Sequence, residues 1–270
     1  MPIYQAVILG IIQGLAEFLP ISSSAHLTLA PWIFGWEDPG LSFDVALHWG
    51  TLAAVLAVFW KDWIRLLSAG LTGKGDANDR RLFWGLVLSS IPAAIIGKLL
   101  DHWAEENLRA PLLIAATLAV MGVLLWVADR AGSKTRALDQ MTLPRALTIG
   151  VAQAAALVPG VSRSGATISV GLLQGFTREE IARFSFLMST PIIFGAGLLK
   201  FPKMLHEMQS GHSAVTWGAL AAGFIASAVV GTAVIRWILD YLRTRTYAVF
   251  AIWRILVAAL VVVLWLSGKR

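Results

Sequence analysis

The sequence predicts an all-α, polytopic membrane protein built as an inverted-topology repeat, with six transmembrane helices and two re-entrant helical segments. Three observations carry this prediction. The 270 residues are 57% hydrophobic and only 14% charged, against about 25% charged in a soluble domain, and the mean hydropathy is +0.71. Apolar runs of membrane-crossing length recur along the chain, too long and too unalternating for an outer-membrane barrel, whose strands alternate over about ten residues. Two polar stretches, Glu17 to His26 and Pro159 to Thr167, each follow an apolar run, and the order of elements after each is the same.

Residues 3 to 19 form an apolar helix with Gln13 and Glu17 four apart, hence on one face. Pro20 and the serines Ser22, Ser23 and Ser24 interrupt it, and residues 25 to 34 resume a short apolar piece. A single straight span would carry Glu17, Pro20 and His26 through lipid. A helical pair that enters and leaves on one side avoids this, provided protein or water covers the freed backbone groups. A span follows over 41–60, with Asp44 and His48 near its start. Next come a loop at 61–81 with five lysines and arginines, a span over 82–100 kinked at Pro92, a short acidic segment at 101–110, and an uncharged span over 111–128.

After a second basic loop at 129–145 the pattern restarts. Residues 146–173 form another broken segment, 181–199 and 213–235 are spans, and a basic stretch with Arg236, Arg243 and Arg245 leads to a last span near 247–266. One integral membrane domain thus covers 1–270, with repeat halves 1–128 and 146–268. At an offset of 139 residues Gln13, Pro20 and Ser23 fall on Ala152, Pro159 and Ser162. Three spans per half is an odd number, so the halves lie upside down relative to each other. The loops 61–81 and 129–145 hold five and four lysines and arginines, and 101–110 and 201–212 hold one each. This places the first two in the cytoplasm. The broken segments then enter from opposite faces and their tips meet inside the protein.

Composition also excludes chemistry. There is no cysteine, which removes disulfides, thiolate metal sites and cysteine nucleophiles. The net charge of +6 follows from membrane orientation rather than from nucleic-acid binding. No basic n-region or cleavage site marks the start, so a removed signal peptide is not expected.

The polar stretches hold the candidate chemistry. Gly160 and Gly165 flank Ser162, Arg163 and Ser164, with Thr167 beyond. Glycines expose backbone N–H groups, hydroxyls add donors, and arginine offers a planar fork that fits phosphate oxygens. A glycine hinge with a snorkelling arginine explains Arg163 but not the hydroxyls beside it. The segment lacks the Gly-Lys-Ser/Thr of a Walker loop. Any one of Ser22, Ser23 and Ser24 suits a helix cap, but three followed by His26 suggest a nucleophile with a base, or a donor with a general acid. Glu17 is placed to bind a divalent cation or to orient His26. Gln13 is a second contact without charge, so a metal here has one carboxylate rather than two. Asp44 and His48 are a separate pair, read either as a substrate or metal contact or as an interfacial pair.

These motifs resemble the bacitracin-resistance family of undecaprenyl-diphosphate phosphatases, over residues 3 to 266. The family's first motif matches Gln13-Gly-Leu-Ala-Glu17 and continues to His26, with Ser24-Ala25 where many members have Thr-Gly. Its second motif, Pro-Gly-x-Ser-Arg-Ser-x-x-Thr, is matched completely by Pro159 to Thr167. The resemblance implies hydrolysis of a C55 isoprenyl diphosphate to the monophosphate, recycling the carrier for peptidoglycan synthesis and conferring bacitracin resistance. It implies a bacterial inner-membrane enzyme, open to the periplasmic side and dependent on Mg2+ or Ca2+. The catalytic set falls on Glu17, Ser23, His26 and Arg163, with Ser23 or His26 as nucleophile left open. Ser22, Ser24, Gly160, Ser162, Ser164, Gly165 and Thr167 are the expected substrate contacts, and Glu17 with Gln13 the expected metal contacts. The expected partner is the membrane lipid substrate, with no nucleic acid. A homodimer is admitted by the sequence but not argued by it. A type 2 phosphatidic-acid phosphatase is excluded, because the chain has neither Arg-Pro nor Pro-Ser-Gly-His. A transporter or flippase of a phosphorylated isoprenoid lipid is the alternative, since paired re-entrant segments are also transporter architecture.

Overall fold

A computed structural model describes residues 1–209 and 215–269. Among them, regular structure is helical apart from a single bridge between Arg136 and Phe176. The first polar stretch separates α1 (Ile3–Ala16) from α2 (Ser23–Phe34), and α3 (Leu41–Val58) follows. Next come α4 (Trp60–Thr72), α5 (Ala77–Asn107) and α6 (Pro111–Ala131). The second polar stretch lies between α7 (Leu143–Ala154), with its 3-10 turn at Ala155–Leu157, and α8 (Arg163–Leu173). The chain ends with α9 (Arg178–Gln209), α10 (Trp217–Thr244) and α11 (Ala248–Leu266).

The helices α5, α6, α9, α10 and α11 are each long and apolar enough to cross a bilayer, and α3 with α4 makes a sixth crossing when the bent pair is counted as one. The bend between them is 81°. This corrects the expected loop at 61–81, because its first half is helical. Charge disguised it: Trp60, Ile64, Leu67 and Leu71 form an exposed apolar stripe at helical spacing, while Leu66 and Ala69 are buried. The helix α5 also extends beyond the expected 82–100, continuing through Pro92 to Asn107. The expected start of the fifth span, Ser213, lies outside the described residues.

Packing exchanges partners between the halves. The helix α1 packs on α10 and α7 on α5, α6 pairs with α11, and α3 lies against α9 and α10. Small residues allow the closest approaches, as expected where lipid gives no hydrophobic push between helices. A Cβ on Gly10 would lie 2.5 Å from the Gly223 carbonyl oxygen, and one on Gly150 only 2.1 Å from that of Ser89. The structure aligns the two polar stretches differently from the sequence. Ser22 and Ser162 are the N-caps of α2 and α8, both with positive φ (78° and 72°). Aligning these caps shifts the offset to 140 residues and matches Gly10 with Gly150 and Gln13 with Gln153. Ser23 and Arg163 then occupy the same position, the first residue of each inner helix.

Candidate active site

Each chain break is built around its capping serine. Ser22 Oγ accepts from the Ala25 N–H at 3.4 Å, and Ser162 Oγ accepts from that of Gly165 at 3.1 Å. A non-glycine residue in the left-handed region costs about 1–2 kcal/mol, so both caps are held by their surroundings. The two breaks touch directly. The Gly160 N–H donates to Ser22 Oγ at 3.2 Å, and Ser164 Oγ donates to the Leu19 carbonyl at 3.2 Å.

The reactive groups converge on Glu17, whose side chain is 5% exposed. Ser23 Oγ–H donates to Glu17 Oε2 at 2.8 Å, and Gln13 Nε2 donates to the same oxygen at 3.1 Å. Across the break, Arg163 Nε and Nη2 reach Glu17 Oε1 at 3.4 and 3.3 Å. Arg163 Nη1 donates to the Ser185 carbonyl on α9 at 2.7 Å. An isolated buried carboxylate or guanidinium would be costly, and pairing them across the two breaks offsets that cost.

A cavity of ≈ 330 Å³ opens over this cluster. The breaks contribute Glu17, Ser23, Ser24, Ser162 and Arg163 to its wall, α3 adds Asp44 and His48, and Lys200 stands on α9. Thus Asp44 and His48 are not a separate pair but part of the same cavity. His48 Nδ1 donates to the Asp44 carbonyl at 2.7 Å, which turns Nε2 toward Glu17 Oε2 at 3.7 Å. At the cavity's outer side Arg109 reaches Asp38 at 3.3 Å and Asp44 at 3.9 Å.

The remaining sequence-predicted residues stand behind the cavity wall. Thr167 Oγ1 bonds the Arg163 carbonyl at 2.8 Å and Ser185 Oγ at 2.8 Å, bracing the first turn of α8. Gly160 packs so tightly on α6 that a Cβ would meet Thr117 Oγ1. His26 makes its described hydrogen bonds to neither Ser23 nor Arg163. Its Nε2 accepts from Trp253 Nε1–H at 3.0 Å, because an indole only donates. Its Nδ1 therefore carries the proton and donates to the Ser22 carbonyl at 2.8 Å.

Sequence reasoning missed Ser185, Lys200, Trp253 and Arg254. Arg254 had a usable signal, since it is the one charged residue in the apolar run of α11, and intramembrane charges mark function by default. Ser185 had none.

The fold and site together define a polytopic membrane protein with a charge-paired polar cavity where two broken helices meet. The family described as bacitracin resistance protein BacA matches residues 6–260, and the chain belongs to that family. It is 54% identical over 268 residues to the undecaprenyl-diphosphatase of Moorella thermoacetica, covering 98% of this chain and 99% of that one. It is 47% identical over 261 residues to the undecaprenyl-diphosphatase of Desulforudis audaxviator, covering 97% of each. The protein of that name from Pelotomaculum thermopropionicum is 47% identical over 270 residues, covering 100% of this chain and 99% of that one.

Proposed function

We propose that the protein hydrolyses undecaprenyl diphosphate to undecaprenyl phosphate and inorganic phosphate, with Ser23 as the nucleophile. The observation that carries this reading is the 2.8 Å hydrogen bond from Ser23 Oγ to Glu17 Oε2, with Arg163 on the other carboxylate oxygen. A serine hydroxyl is a weak nucleophile until an adjacent base takes its proton. Ser23 Oγ attacks the terminal phosphorus while its proton passes to Glu17 Oε2. The bond from that phosphorus to the bridging oxygen breaks, and the lipid monophosphate leaves with the proton returned by Glu17. Water, deprotonated by the same carboxylate, then attacks the phosphorus; the P–Oγ bond breaks, Glu17 returns the proton to Ser23 Oγ, and inorganic phosphate leaves. Arg163 stabilises the charge on the transferring group throughout.

His26 acts at one remove in this reading, through the Ser22 backbone it holds. His48 is the histidine that faces Glu17. The oxygen donors suit a hard divalent cation, Mg2+ or Ca2+: Gln13 Oε1 is buried beside Glu17 with no hydrogen-bond partner. Among the described residues no group of three His, Cys, Asp or Glu gathers, so Glu17 and Gln13 would hold an ion completed by phosphate oxygens and water. When bound it supplies neutralisation of the diphosphate charge.

The halves 1–128 and 146–268 are read as inverted repeats, supported by the matched serine caps and the exchanged packing partners. An inner-membrane location with the cavity open to the periplasm is supported by charge. The cavity side carries the segment around Arg109, poor in lysine and arginine, and the opposite end holds the basic segments. Phosphate release from undecaprenyl diphosphate by purified protein, with Mg2+ or Ca2+ supplied, tests the activity. No release would end the enzyme reading and leave lipid transport as the alternative.

A further inference from the structure

Among the described residues Arg254 is the largest fully buried side chain, at 0% exposure. A guanidinium at that depth carries a desolvation cost of several kcal/mol unless every donor is matched. Its partners among the described residues are backbone carbonyls. Nη1 donates to Pro20 at 2.8 Å, and Nη2 donates to Val161 at 3.0 Å and also to Gly160. Nε donates to Leu118 on α6 at 3.2 Å. Three of the four acceptors belong to the chain breaks: Pro20 lies in the first, and Gly160 and Val161 lie in the second. Breaking a helix frees carbonyls that must find donors inside the bilayer. One planar fork serves both breaks at once, with Gly165 leaving room: a Cβ there would lie 2.9 Å from Nη1.

Arg254 does not line the cavity. Its bonds end three residues before Ser23 and two before Arg163, the pair whose spacing sets the attack geometry. We propose that Arg254 is a positioning residue for phosphoryl transfer, holding the Ser23 break and the Arg163 break in register. The inference rests on the site reading above. It predicts a specific kinetic pattern, since loosening the register leaves the binding groups in place but misaligns nucleophile and phosphate. A misplacement of about 1 Å costs on the order of a hundredfold in rate.

Two variants test it. Arg254→Lys keeps the charge but loses the fork that spans both breaks. Gly165→Ala leaves Arg254 present and crowds Nη1. Both are purified in detergent, checked for melting temperature, and assayed for kcat and KM beside Ser23→Ala and Arg163→Lys. The expected result is a kcat lower by about a hundredfold with KM unchanged, in folded protein, for both variants. A folded variant with near-normal kcat, or with raised KM at normal kcat, overturns the proposal. If neither variant folds, Arg254 is a folding residue and the positioning role is rejected. If Ser23→Ala and Arg163→Lys retain activity, the site reading fails instead.

Discussion

Among single residues, Glu17 does the most work per atom. Its two oxygens receive Ser23, Gln13 and Arg163, so one carboxylate joins both chain breaks. Arg163→Lys keeps a charge without the fork, and losing one transition-state donor costs about a hundredfold to a thousandfold in kcat. Ser23→Ala should fall at least as far. His26→Ala should fall less, because the His26 ring bonds the Ser22 carbonyl and the Trp253 indole rather than Ser23 or Glu17. Steady-state phosphate release, normalised to folded protein, ranks the three; equal loss in His26→Ala and Ser23→Ala would return the histidine to the chemistry. The sequence made the convergence of Glu17, Ser23 and Arg163 legible, because hydroxyls and charges inside apolar runs have few innocent readings. It could not place His26, because spacing of three residues on a helix gives proximity but not direction. The tryptophan that holds the ring's Nε2 lies 227 residues on.

Elements were legible where hydropathy alone decides. The long apolar helices cover the expected spans but α5, α9 and α10 run seven, ten and nine residues past the expected ends, taking Arg236 and Arg243 into α10, while α4 was read as loop because Lys61, Asp62 and Arg65 masked an apolar stripe. The alignment of the two polar stretches moved by one residue for a related reason. The proline of each polar stretch, Pro20 and Pro159, looked equivalent, but the capping serines fix the alignment, and these prolines sit one position apart in it. Close helix contact gives the sharpest test at this scale. Gly150→Ala would place a methyl 2.1 Å from the Ser89 carbonyl oxygen and force α7 off α5. Overpacking of this kind costs about 1–3 kcal/mol, read as a lower melting temperature in detergent. Gly97→Ala on α5, where nothing lies within 4 Å, is the control and should not melt earlier.

For the whole molecule, orientation is the property that charge predicts and side-chain geometry cannot. With no cysteine in the chain, single cysteines report sidedness cleanly. A cysteine at Lys74 should react only with reagent inside the cell, and one at Ala110 only with reagent outside. Reaction of both from the same face would sink the proposed topology. The cavity's position was only half legible. The meeting of two segments some 140 residues apart was expected from the repeat read in the sequence, whereas the recruitment of α3 and α9 to its walls depends on helix packing that apolar sequence leaves open.

The Glu17–Arg163 pair has one more consequence. Before any lipid arrives, the guanidinium already has an anion, one supplied by the protein itself. An incoming phosphoryl group must exchange with that resident carboxylate rather than drop into a vacant positive hole. Dissolved inorganic phosphate has nothing but charge to offer in that exchange. A diphosphate on a C55 tail is tethered in the same bilayer as the protein, and tethering raises its effective concentration without any new contact at the head. On the reading proposed above, exchange with this resting ion pair favours anchored phosphates over free ones, including the inorganic phosphate just released.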